Sequence, residues 1–168
     1  MFTKILVAVS ANSSDTVMAS AIEVARKYDA HIVALHVVDP TPCFLGPLDA
    51  DVGLIVEAME ANGRTIATRM ANMLDEHAHT ADARMVTLPL SGVTIGSAIA
   101  SFANEVDADL IVLGDRKSGW MRWMSQDVAA DVRRHSSTPI QIVTGKPTGG
   151  QTQRAGARWT DAKVTSAR

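Results

Sequence analysis

Cysteine is almost missing from this chain: Cys43 is the one thiol among 168 residues. It cannot close an intrachain disulfide or build a cysteine metal cage, so a reducing, cytoplasmic setting is expected. Net charge is also scarce, with 16 basic residues against 18 acidic ones. That balance argues against a whole-chain polyanion binder, and no nucleic-acid partner is expected. The longest uncharged stretch, Met85 to Asn104, is interrupted by Thr87, Pro89, Ser91, Gly92 and Thr94, so no continuous apolar run reaches the ~20 residues of a membrane span and no membrane partner is expected. The apolar start, Met1 to Val9, is not followed by the long hydrophobic region and small-residue cleavage site of a signal peptide. Several signatures are absent as well. There is no G-x-G-x-x-G after the first apolar run, no G-x-x-x-x-G-K-[ST], and no G-x-S-x-G nucleophile elbow. Ser10-Ala11-Asn12-Ser13-Ser14-Asp15 also lacks the glycines of a pyrophosphatase Ser-Gly-Gly-x-Asp-Ser loop.

What is present is a globular composition, 46% hydrophobic and 20% charged, in a chain of one-domain length. Short continuous apolar runs alternate with amphipathic stretches. Ile5 to Val9 reads as a strand buried on both faces, and Ile32 to Val38, Ala83 to Leu88, Leu110 to Leu113 and Ile140 to Val143 read as the further strands, the last at the sheet edge. Between them, Met18, Ala21, Val24, Ala25 and Tyr28 recur at helical spacing. About Asp51 to His77 suits a long helix, locally weakened by Gly53 and Gly63. Thr94 opens a third helix with Ile95, Ala98, Ile99, Phe102 and Ala103 on one face, and about Ser125 to Arg134 forms the fourth. Five strands separated by four helices predict an α/β fold: a doubly wound, five-stranded parallel sheet with helices on both faces and strand order 3-2-1-4-5. Ligands in such sheets bind at the carboxyl ends of the strands, near the switch point.

Beyond Thr144 the composition changes. Residues 145–168 carry Lys146, Arg154, Arg158, Lys163 and Arg168 against Asp161, with five glycines and prolines in the first twelve positions. The net charge there is +4, leaving −6 for residues 1–144. Such a segment lacks the apolar surface to offset its ordering entropy, so it is expected to be a flexible basic tail to a 1–144 domain.

Candidate metal ligands are few. His31 and His36 are five apart on a strand and therefore face opposite ways. His77 and His79 sit at a helix end, and His135 lies in the last turn of its helix, where a cation meets the dipole favourably. Structural roles suffice for all five histidines, and no metal is expected. Trp120, Met121, Trp123 and Met124 form a dense apolar cluster that either closes the core or meets a protein partner. Met59, Met70 and Met73 on the long helix read as core filler.

Five segments together resemble the universal stress protein family. They are Lys4 to Val9, Val24 to Ala30, Leu35-His36-Val37-Val38, Ala108 to Gly114, and Ser137 to Val143. The resemblance spans residues 1–144 in the right order and implies the nucleotide-hydrolase-like variant of the doubly wound fold. Family members that bind ATP carry, after strand four, a glycine, two residues, a second glycine, nine residues, then glycine with serine or threonine. Glycines let backbone amides close on phosphates, and the final pair adds a hydroxyl at a helix N-terminus. Gly114 matches the first position, but the second falls on Lys117. The last pair falls on Asp127-Val128, or on Gln126-Asp127 once a one-residue deletion is closed. Both registers bring Asp127 near the phosphates, which a carboxylate repels. Where nucleotide-binding relatives end strand one in aspartate, this chain has Ser10.

The resemblance thus implies the branch without an ATP-binding loop: a regulatory or binding module without turnover and with no cofactor. The competing expectation is an ATP-binding member with slow hydrolysis. Its contacts would be Ala8, Val9, Ser10, Val38, Leu113, Gly114 and Arg116, with Ser125 the nearest hydroxyl. A third is a scaffold acting through the tryptophan cluster or the basic tail. Members commonly dimerise through strand five, so the resemblance also implies a homodimer with Ile140, Gln141, Ile142 and Val143 at its interface.

Overall fold

The computed structural model describes residues 1–10, 14–45, 51–77, 80–89, 92–114 and 127–144. The tryptophan cluster, Arg116, Lys117, Ser125, His79 and the segment 145–168 lie outside the described residues.

The elements alternate along the chain: β1 Lys4–Ala8, α1 Ser14–Tyr28, β2 His31–Val38, α2 Val52–His77, β3 Ala81–Thr87, α3 Ile95–Glu105, β4 Leu110–Gly114, α4 Val128–His135 and β5 Ile140–Val143. A short 3-10 turn, Thr41–Leu45, follows Pro40 in the connection that the sequence presented as loop. All strand pairs are parallel and the order is β3-β2-β1-β4-β5. The expected fold and strand order are therefore those observed.

Burial on both faces explains the apolar runs of β1, β2 and β4, whereas the edge strands β3 and β5 are only partly buried. Ile5, Val7, Ile32, Ala34, Leu110 and Val112 point to one side, where Met18, Ala21 and Ala25 of α1 and Ile66, Met70 and Leu74 of α2 cover them. Leu6, Val33, Leu35, Ile111 and Leu113 point to the other, under Ile99, Ala100 and Ala103 of α3 and Val132 of α4. Each large side chain removed from water in this way contributes about 1.5–3 kcal/mol. His31 and His36 do face opposite sides. His31 Nε2 lies 3.4 Å from Asp82 on the α3 side, whereas His36 is next to Gly63 of α2.

Three polar or close-packed contacts fix how the layers meet. At α3, Thr94 caps the helix: its hydroxyl accepts from the Ser97 amide (3.1 Å), and Ser97 Oγ accepts from the Thr94 amide (3.1 Å). The Thr94 hydroxyl donates in turn to Asp131 of α4. Asp131 lies so close that a Cβ on Gly96 would meet its atoms at 2.5, 2.6 and 2.9 Å. At α2, a Cβ on Gly63 would come within 2.7 Å of both Met85 and Val38. Gly63 is therefore a packing requirement rather than a weak point in the helix. At the amino ends of the strands, the Asp109 carboxylate accepts from the Thr3 amide and hydroxyl, both at 2.8 Å, and from the Lys4 amide at 3.2 Å.

Two outcomes follow from these contacts. Gly96→Ala drives a methyl into Asp131 and is expected to destabilise the fold by about 1–3 kcal/mol in urea unfolding; an unchanged midpoint would show that the helices separate freely. Asp109 has its pKa lowered. Partial burial works against the charged form but is outweighed by the Thr3 and Lys4 donors. A depressed carboxylate pKa contributes stability that is fully present above the ordinary value of 3.8 and is lost as pH falls through the lower native value. Asp109→Asn is therefore expected to flatten the acid limb of the stability curve while leaving its shape near neutrality unaltered.

Candidate functional site

Parallel pairing brings the carboxyl ends of β1, β2 and β4 side by side. Ala8 is opposite Leu35 of β2 and Leu113 of β4. Six of the sequence-derived candidates therefore converge at one end of the sheet: Ala8, Val9, Ser10, Val38, Leu113 and Gly114. Arg116 and Ser125, the other two, fall outside the described residues.

Convergence does not make the six equivalent. The side chains of Val9, Val38 and Leu113 are 5%, 4% and 4% exposed. They belong to the floor of the site, so a ligand would meet mainly their backbone. Ser10 is exposed and Gly114 half-buried. The end of β1 is held from beneath, since Val9 donates its amide to the Leu35 carbonyl (2.9 Å). The His36 ring donates Nδ1–H to the Val9 carbonyl (2.8 Å). His36 is 9% exposed, and the bond supplies a partner that a buried ring needs. Its position, one strand over from the carbonyl it serves, is a tertiary fact that the heptapeptide around it does not announce.

Helix α4 lies between β4 and the parallel strand β5, so it starts at the carboxyl end of the sheet. Helix N-termini attract anions through unsatisfied amides and the macrodipole. Here that position is taken by the chain itself: Asp127 is the N-cap, and its side chain accepts from the Ala130 amide at 3.0 Å. Asp39, just past β2, similarly accepts from the Thr41 amide at 2.9 Å. Both of these carboxylates thus serve as local caps. The site as described has an apolar floor, one exposed hydroxyl, one glycine backbone and a negative rim. Nothing in that donor set is arranged as a nucleophile with its base, and no group of three or more His, Cys, Asp or Glu that could hold a metal occurs among the described residues.

Two grooves, of about 470 and 240 Å³, lie elsewhere, between α3 and the β2–β3 part of the sheet. They share Phe102 and Glu105 and include none of the six strand-end residues. Among the described residues no helix is long and apolar enough to cross a membrane. At the opposite edge, β5 pairs with β4 alone among the described strands. Ile140 packs against the α3–α4 core and Val143 against the α1–α2 core, while Ile142 is 39% exposed.

With the fold and the strand ends described, the comparisons become informative. Residues 1–144 match the family model described as the universal stress protein family. A universal stress protein of Methanocaldococcus jannaschii is 32% identical over 125 residues, covering 73% of this chain and 70% of the relative. A universal stress protein family structure from Burkholderia pseudomallei superposes with a TM-score of 0.64 at 23% identity, covering 84% of this chain and 95% of that one. A universal stress protein from Archaeoglobus fulgidus in complex with dAMP gives a TM-score of 0.56 at 22% identity, covering 83% and 96%. The chain, by the family match over six-sevenths of its length and by its strand order, belongs to the universal stress protein family.

Proposed function

We propose that this family member is a homodimeric regulatory or binding module whose nucleotide site is disabled, and that it performs no catalytic turnover. The observation that carries the reading is the Asp127 cap on α4. A polyphosphate docking there has to displace a carboxylate from the helix amides and then lie next to its charge. The second support is the motif itself, which retains Gly114 but has Lys117, and Asp127-Val128 or Gln126-Asp127, where nucleotide-binding relatives place glycine and glycine-hydroxyl. Ser10 in place of the strand-one aspartate removes a further adenosine contact.

A second reading, nucleotide binding with slow hydrolysis, is favoured by the likeness to the dAMP-bound Archaeoglobus fulgidus protein. Calorimetric titration with ATP and magnesium separates the two. The disabled-site reading expects no saturable heat up to millimolar nucleotide. It also expects Lys117→Gly combined with Gln126→Gly and Asp127→Ser to gain measurable affinity. Micromolar binding by the unaltered protein would favour the second reading and end the first.

The dimer rests on β5. Its outer backbone is unpaired by any described strand, and Ile142 presents an apolar side chain at that edge, the kind of surface that invites strand addition. Ile142→Lys is expected to shift the sedimenting species toward monomer while leaving the circular dichroism spectrum intact. A native mass that ignores the substitution would place the interface elsewhere.

A further inference from the structure

The outward face of α2 is unlike that of an ordinary surface helix, which turns charged side chains to solvent. Leu54, Ala58, Ala61, Thr65 and Thr68 are all exposed and are spaced four, three, four and three residues apart, the spacing of a helix–helix seam. None is charged. Leu54 is 63% exposed. The two threonines have already spent their hydroxyl donors inside the helix, Thr65 Oγ1 on the Ala61 carbonyl (3.1 Å) and Thr68 Oγ1 on the Arg64 carbonyl (3.0 Å). The strip therefore offers small, hydrogen-bond-satisfied surface over about four turns, which suits close helix approach.

The charges that flank the strip identify the occupant. Glu57 and Arg64 border it on one side, Asp51 and Arg69 on the other. An isologous, antiparallel pairing of two such helices brings like flank to like flank across the two-fold axis. Centred near residue 60, that pairing sets Glu57 against the second copy's Arg64 and Asp51 against its Arg69. The same centre sets Ala58 against Ala61 and Leu54 against Thr65. One register thus satisfies the apolar seam and both charged borders. Among the described residues Arg64 pairs with Glu60 at 3.8 Å and Arg69 with the surface residue Asp15 at 2.6 Å, and both keep more than half of their side chains exposed; Asp51 accepts from the Leu54 amide (3.2 Å) through one carboxylate oxygen, Oδ1.

We propose that the outer face of α2 is a self-association surface, pairing antiparallel with α2 of a second copy of this chain. The contact is independent of β5 and of any nucleotide. It is small against the ~800 Å² per partner of a stable stand-alone interface, so it acts at high protein concentration or between copies already joined elsewhere. Two different two-fold contacts on one chain generate a closed tetramer or an open array.

The test uses the full chain with Cys43→Ser. Ala58→Cys and Ala61→Cys chains, mixed and mildly oxidised, are expected to form a 58–61 disulfide-linked pair on a denaturing gel. Asn72→Cys, on the same helix but outside the overlap, should not. Because the gel counts linked chains, a failure of β5 pairing leaves this readout untouched. Glu57→Arg and Arg64→Glu are each expected to cut the cross-linked yield several-fold, and the double exchange to restore it. Cross-linking no better than Asn72→Cys, or an exchange that fails to restore the yield, would overturn the proposal.

Discussion

A single carboxylate organises the side of the sheet on which α3 and α4 lie. Asp131 leaves α4 and reaches the first turn of α3, where the Thr94 hydroxyl donates to it and the absence of a side chain at Gly96 admits it. Its side chain is only 13% exposed. Such burial of charge is tolerable because the acceptor lies at the positive end of a helix dipole and has Arg134 and His135 on its own helix at 3.9 and 3.5 Å. The bond joins two short helices that also pack together: Val132, the one fully buried residue of α4's eight, lies in the same cluster as Ile99, Ala100 and Ala103 of α3. Once α4 is pinned, its amino end is pinned as well, and Asp127 is held toward the mouth of β4.

Placement and chemistry then part company. The sheet does what a doubly wound sheet does, gathering the ends of β1, β2 and β4 beneath a helix N-terminus, an arrangement suited to anions. The residues at that point answer differently, because Asp127 and Asp39 satisfy nearby amides with their own oxygens. An architecture shared with nucleotide-bound relatives therefore does not by itself confer their ligand on this chain.

Local patterning was legible; long-range pairing was not. The apolar runs gave away every strand, and Thr94 marked the start of α3, because period and capping are written in neighbouring residues. Five strands and four helices then admitted few topologies. By contrast, Thr3 meets Asp109 across 106 positions and Thr94 meets Asp131 across 37, and neither pair carries a local signature. His36 looked like any strand histidine until Val9 was found beside it. Propensity counts glycine as a defect in a helix, whereas at Gly63 the missing side chain lets α2 come close to Val38 of β2 and Met85 of β3. Six of the eight strand-end candidates lie at the carboxyl ends of β1, β2 and β4, but nothing in their neighbouring residues announces that Val9, Val38 and Leu113 turn inward.

That near approach at Gly63 works as an index notch. With Met85 and Val38 seated against bare backbone, α2 cannot roll or slide along its axis without lifting away from the sheet. Whatever its solvent side meets is consequently offered at one azimuth and one height, as rigidly as lettering on a fixed dial.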